Sequence, residues 1–158
     1  MVNRMHPAVD LVRGALGEHG LHPEIRWFDE AATTAQAAAG ALGIDVGAIA
    51  NSLIFTLDGQ PLLVLTSGAH RVDAVWLGEQ LGGTIGRASK DVVKQATGQV
   101  IGGVAPVGHP SPVRTLVDVA LADHPVVWAA AGHAHTVFPT TFEELLRITG
   151  GRATAVVP

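Results

Sequence analysis

The dipeptide Asp58-Gly59 sits between two apolar runs, Asn51-Ser52-Leu53-Ile54-Phe55-Thr56-Leu57 and Pro61-Leu62-Leu63-Val64-Leu65-Thr66. Both central residues of a type I′ turn need positive φ, which Asp and Gly tolerate. The pattern predicts a β-hairpin, and two strands joined by so short a turn are antiparallel. A purely parallel, doubly wound sheet is thereby excluded. Both runs are nearly continuous in apolar residues, so the hairpin is expected to be covered on both faces.

Helices and further strands flank it. Residues 6–20 read as a helix, with Pro7 in the first turn, Gly20 just past the end and Val9, Val12 and Leu16 as the buried stripe. Residues 25–28 form a short strand candidate. Thr33-Thr34-Ala35-Gln36 matches a capping box, opening an Ala-rich helix that Gly43 ends. Residues 72–81 read as a helix with Val72, Val75, Trp76 and Leu81 facing inward, and Ser89 caps a short helix through Ala96. Residues 98–110 are too rich in Gly and Pro for a helix and read as a strand that breaks into a shaped loop. Strands are expected at 114–119, 126–131, 136–138 and 153–157. A second capping box, Thr141-Phe142-Glu143-Glu144, opens a last helix that stops at Gly150. Helices interspersed with strands around an antiparallel hairpin predict an α/β fold with a mixed central sheet, closing part-way toward a barrel and surrounded by helices.

Composition sets the class. The 158 residues suit a single domain spanning 1–158, and 47% hydrophobic against 15% charged residues excludes a disordered chain. The absence of Cys excludes a disulfide framework, a zinc–thiolate site and a thiol nucleophile together. Ten Lys and Arg against fourteen Asp and Glu give a net charge of −4, with no basic run for wrapping long nucleic acid. Local contacts to the end of an acidic ligand stay open. The N-terminus has no apolar signal-peptide core, and no apolar run reaches the ~18 residues that span a bilayer. A cytoplasmic protein without membrane contact is expected.

Several residues are candidates for chemistry. Glycines in residues 102–109 allow close approach to the backbone and leave N–H groups free to donate; a tight buried turn is the competing reading. His133 and His135 form an H-x-H pair whose side chains share one face if they lie on a strand. No third ligand follows at a recognisable spacing, so no metal is expected. His109 beside the Gly-Pro loop reads either as a donor to a carbonyl or as a structural histidine. Ser52 and Ser67 lack the G-x-S-x-G setting of a nucleophile elbow. Trp27, Trp76 and Trp128 read as core residues.

Four segments, in order, resemble the YbaK/prolyl-tRNA-synthetase-associated domain family. They are Thr34-Ala35-Gln36-Ala37-Ala38 with Leu42-Gly43; Ile49-Ala50-Asn51-Ser52-Leu53-Ile54-Phe55; Ile101-Gly102-Gly103-Val104-Ala105-Pro106-Val107-Gly108-His109; and Trp128-Ala129-Ala130-Ala131-Gly132. The resemblance covers nearly the whole chain. It implies one α/β domain with a partly barrel-like sheet, and hydrolysis of the ester joining a wrong amino acid to the 3′-adenosine of a tRNA. It implies no cofactor and no metal. The partners it implies are the aminoacyl-tRNA acceptor end and an aminoacyl-tRNA synthetase, the chain being a monomer or a homodimer. The family's G-x-x-x-P loop falls on Gly102 to Pro106. The substrate pocket it implies draws on Thr34, Ser52, Gly102, Gly103, Val104, Pro106, His109 and Gly132.

One departure stands out. The family places a lysine immediately before Ser-Leu on the first hairpin strand, and here that position is Asn51. A hydrogen bond to a charged group contributes about 1.5–3 kcal/mol, against ~1 kcal/mol for a neutral one. Asn51 is therefore the candidate catalytic position whose chemistry differs from the family's. Three functions follow for testing: a trans-editing hydrolase, a non-catalytic module that binds the aminoacyl-tRNA end, and a metal-dependent hydrolase centred on His133 and His135.

Overall fold

A computed structural model describes residues 6–158; residues 1–5, and the part of the N-terminal reading that rests on them, lie outside it. The described residues form five α-helices: α1 (Pro7–Glu18), α2 (Ala35–Leu42), α3 (Ala74–Leu81), α4 (Lys90–Thr97) and α5 (Phe142–Thr149). Eight strands accompany them: β1 (Arg26–Trp27), β2 (Ile49–Leu57), β3 (Gln60–Ser67), β4 (Ile85–Arg87), β5 (Arg114–Asp118), β6 (Val127–Ala129), β7 (Thr136–Thr140) and β8 (Arg152–Thr154). The chain folds as the expected mixed α/β domain. Its sheet runs β1-β7-β6-β2-β3-β5-β8, with β4 added on β2.

The hairpin organises this sheet. Asp58 and Gly59 have φ of 50° and 84°, the two left-handed residues a type I′ turn requires. The turn fixes the register that places Ile54 opposite Leu63 and Ser52 opposite Leu65. β3 lies between β2 and the parallel strand β5. Leu63 and Leu65 face a core built with α1, α4 and α5, whereas Leu62 and Leu116 face a second one under α3. β3 is thus buried on both faces, as its sequence predicts. β2 is only half-buried along residues 51–57.

The reason lies on the other edge of β2. There β6 pairs with Ile49 and Ala50, and β4 pairs with Phe55 to Leu57. Residues 51–54 have no strand partner on that edge among the described residues. The Ile49 carbonyl accepts from the Gly68 amide at 2.8 Å on the β3 side. Backbone groups alternate in direction along a strand, so those of Ser52 point into the gap.

Helix ends follow the sequence with small shifts. Val9, Val12 and Leu16 are fully buried beneath α1. The cap of α2 is Thr34, whose hydroxyl accepts from the Ala37 amide at 3.1 Å; Thr33 is one residue too early for the predicted box. Thr141 caps α5 as expected, but Glu144 accepts from the Thr140 hydroxyl instead of closing a reciprocal box. Asp73 caps α3, which starts at Ala74, and Val75 is 76% exposed instead of facing inward. Val72, Trp76 and Leu81 do pack against the second core.

Two strand readings change. β4 has no sequence signal, because three residues centred on a glycine show no alternation; it exists through its pairing with β2. Residues 98–113 contain no strand at all. In place of a ladder, the Gln99 side chain holds the Ala105 amide and the Val107 carbonyl.

Candidate functional site

The gap on β2 opens into a cavity of about 370 Å³, within the range of small-ligand pockets. β2 supplies Asn51 and Ser52 to its wall, the start of α2 supplies Thr33 and Thr34, and the loop after α4 supplies Gly102 and Val104. Trp128 on β6 and His70 after β3 complete the wall. Residues far apart in sequence, Asn51 and the start of the G-x-x-x-P loop, therefore border one concave site.

Each contributor has a physical reason for its place. The Thr34 hydroxyl is committed to capping α2, so its polar reach into the cavity is reduced. Ser52 Oγ is buried with no hydrogen-bond partner. It stands beside the unpaired backbone of its own strand, and Ser52 lines the cavity. Asn51 is half-buried, and its side-chain amide makes no hydrogen bond to a described residue. Gly102 has φ of 93°, a conformation L side chains rarely adopt, and it faces Thr33 across the mouth.

The loop is held from beneath by Gln99, which is 3% exposed. Its Oε1 accepts from the Ala105 amide at 2.6 Å and its Nε2 donates to the Val107 carbonyl at 3.2 Å. Sequence reading missed Gln99, because a glutamine six residues before its partner has no spacing signature.

The remaining expected residues lie elsewhere. Gly103 is buried, and a Cβ there would meet the His133–Ala134 backbone at 2.7–2.8 Å. Pro106 is buried and does not line the cavity. Gly132 packs against the backbone of α1, where an added Cβ would lie 3.0 Å from the Ala8 carbonyl. His109 lines a separate hollow beside α1 and donates from Nε2 to the Ala105 carbonyl at 2.8 Å. Burial pushes its imidazole below the ordinary range, and the bond to that carbonyl opposes the shift only in part. Its placement fits a loop anchor.

His133 and His135 are in the turn before β7, not on a strand. His133 Nδ1 accepts from the His135 amide at 3.1 Å, and His135 Nδ1 lies 2.9 Å from the Phe28 carbonyl. The His133 ring packs 4.7 Å from His6 and 5.9 Å from Trp27. Burial, then repulsion from His6 and His135, lowers its pKa. No group of three or more His, Asp or Glu side chains among the described residues is arranged to hold a metal. Nor is any described helix long and apolar enough to cross a membrane.

A buried carboxylate also stands behind the cavity. Asp118, fully buried at the end of β5, lies 2.8 Å from His70 Nδ1. It accepts from the Ser67 amide at 3.0 Å and, through its other oxygen, from the Ala120 amide at 3.0 Å. The two residues are 48 positions apart and belong to no motif, so only the β3–β5 pairing reveals them.

Residues 29–148 match the model of the aminoacyl-tRNA editing domain. The chain belongs to that family. The match spans the cavity-forming segments from α2 to β7. A proline–tRNA ligase of Maridesulfovibrio salexigens is 33% identical over 118 residues, which are 72% of this chain and 19% of the ligase. The chain thus spans about a fifth of that relative's length. The protein YwhH of Bacillus subtilis is 28% identical over 123 residues, covering 77% of this chain and 78% of YwhH. A crystal structure described as a candidate trans-editing enzyme for prolyl tRNA synthetase superposes with a TM-score of 0.90. It is 35% identical, with 98% of this chain and 99% of that one covered. The resemblance read from the four segments is thereby established at the level of family and fold.

Proposed function

We propose that this chain is a trans-editing hydrolase that cleaves the aminoacyl ester of mischarged tRNA. The observation that carries the reading is the single cavity shared by Asn51, Ser52 and the start of the Gly102–Pro106 loop. Its volume suits an amino acid with part of the terminal adenosine, not a folded tRNA. Among the described residues, its wall contains no Lys, Arg, Asp or Glu. Recognition therefore rests on shape, on neutral hydrogen bonds from Ser52 and Asn51, and on stacking area from Trp128. The similarity to a crystal structure described as a candidate trans-editing enzyme supports the same reading. Cytoplasmic location and association with a synthetase belong to this proposal, as does a monomer or homodimer that needs no cofactor.

Asn51 supports a second reading, a non-catalytic module that binds the aminoacyl-tRNA end, because the family's charged lysine is absent there. Deacylation of a panel of aminoacyl-tRNAs separates the two. Release of amino acid from at least one of them supports the hydrolase. Binding without release supports the module, and neither binding nor release rejects both.

A further inference from the structure

We propose that His70 is the proton-transfer residue of this site and that Asp118 is the carboxylate that orients it. The inference rests on the deacylase reading and adds to it an assignment that the sequence motifs do not contain.

Three observations carry it. First, His70 is the one titratable side chain in the cavity wall among the described residues. His109 serves a different hollow, and His133 and His135 are outside the wall. Second, the pair geometry fixes the tautomer. An ionised carboxylate only accepts, so the 2.8 Å contact to Asp118 Oδ2 requires the proton on His70 Nδ1. The lone pair is then on Nε2, which makes no hydrogen bond to a described residue. Third, the orienting group is rigid. The Asp118 side chain is 1% exposed and the His70 side chain 32% exposed, so the carboxylate is fixed in the interior while the imidazole reaches solvent. The turn bearing His70 is held by its amide donating to the Ser67 carbonyl at 2.9 Å. A base hydrogen-bonded to a buried third group is the arrangement that proton transfer in acyl chemistry uses.

The step balances without a co-reactant. His70 Nε2 takes a proton from water as the water oxygen bonds to the ester carbonyl carbon. The tetrahedral adduct then breaks its bond to the ribose oxygen, which takes that proton from Nε2. The products are the free amino acid and a free ribose hydroxyl.

The test is single-turnover deacylation by wild type, His70→Gln and His70→Ala, together with binding of a non-hydrolysable 3′-aminoacylamino-adenosine. Glutamine retains a donor for Asp118 but has no basic nitrogen. We expect His70→Gln to slow cleavage by roughly 10²–10⁴-fold, the usual range for a lost general base, with analogue affinity within a few-fold. Exogenous imidazole should restore part of the rate of His70→Ala, which a purely structural role would not produce. Asp118→Asn should slow cleavage as well; because that carboxylate is buried, its melting curve is recorded alongside, and the two His70 variants carry the test if it unfolds. Cleavage by His70→Gln within about threefold of wild type overturns the assignment and leaves the deacylase reading intact. A wild type that cleaves no ester in the panel overturns both.

Discussion

Gln99 Oε1 accepts the Ala105 amide at 2.6 Å, and this bond sets the path of the loop that closes the cavity. Because both groups are buried, removing the side-chain amide leaves the Ala105 N–H and the Val107 carbonyl without partners. Each orphaned buried group costs about 1–3 kcal/mol. Gln99→Leu should lower stability by about that amount or more, read as a shift in urea midpoint at constant m-value. Ligand affinity should fall with it, since Gly102 and Val104 lose their support. A midpoint equal to wild type would show that water replaces both bonds.

Substitution of the loop glycines should separate packing from backbone conformation. From sequence, valine at 103 is expected to impair binding more than stability. The structure reverses that order, because a Cβ there meets backbone atoms at 2.7–2.8 Å. Gly103→Val should therefore destabilise the fold by several kcal/mol, of the order seen for severe overpacking. Gly102→Ala meets only ordinary contact with Thr33 at 3.5 Å, but at φ of 93° it is strained by about 1–3 kcal/mol. Thermal melting of the two variants checks the ranking.

Ser52→Ala makes the opposite prediction. The hydroxyl is buried and unpartnered in the free protein, so its removal relieves a desolvation cost of roughly 1–3 kcal/mol. Stability should be unchanged or higher, while affinity for an aminoacyl-adenosine analogue falls. Calorimetry and a denaturation curve on one preparation test both halves. Unchanged affinity would remove Ser52 from the site.

His109 gives a pH dependence with a defined sign. Burial lowers its pKa below the ordinary 6.5 in the folded chain. As pH falls through that value the unfolded chain takes up the proton first, so folding stability declines. The decline levels off once the pH is below the depressed folded value. His109→Gln keeps a donor for the Ala105 carbonyl and should flatten this part of the profile. Denaturation midpoints for wild type and variant between about pH 8 and pH 5 provide the comparison; identical slopes would reject the contribution.

Asn51→Lys introduces the charge that the family resemblance implies at this position. If charge limits capture of the tRNA end, the variant should deacylate faster, and a gain of about 1.4 kcal/mol in transition-state stabilisation is tenfold in rate. Its binding should also become more sensitive to salt. Rates at two salt concentrations decide the matter. A slower lysine variant would show that the cavity has adapted to the shorter side chain.

The hairpin, the helices and the cap at Thr141 were legible in the sequence because each rests on local chemistry. Turn residues with positive φ, apolar spacing at 3.6 or 2, and hydroxyls before helices act within a few positions of one another. The ordered segments around Thr34, Asn51, Gly102 and Trp128 also pointed to the family. β4, Gln99 and the displacement of Gly132 onto α1 were not legible, since each depends on a partner brought up by the fold.

By itself, then, the sequence determined the mixed sheet, the helix boundaries to within a few residues, and the presence of a neutral Asn51 where the family resemblance implies a lysine. Tertiary structure decided which residues meet. It left the edge of β2 open between β6 and β4, so that Ser52 faces a cavity instead of a strand. It also set His70 against Asp118 through the parallel pairing of β3 with β5. Local propensities act along the chain, whereas such encounters depend on register and packing across the sheet.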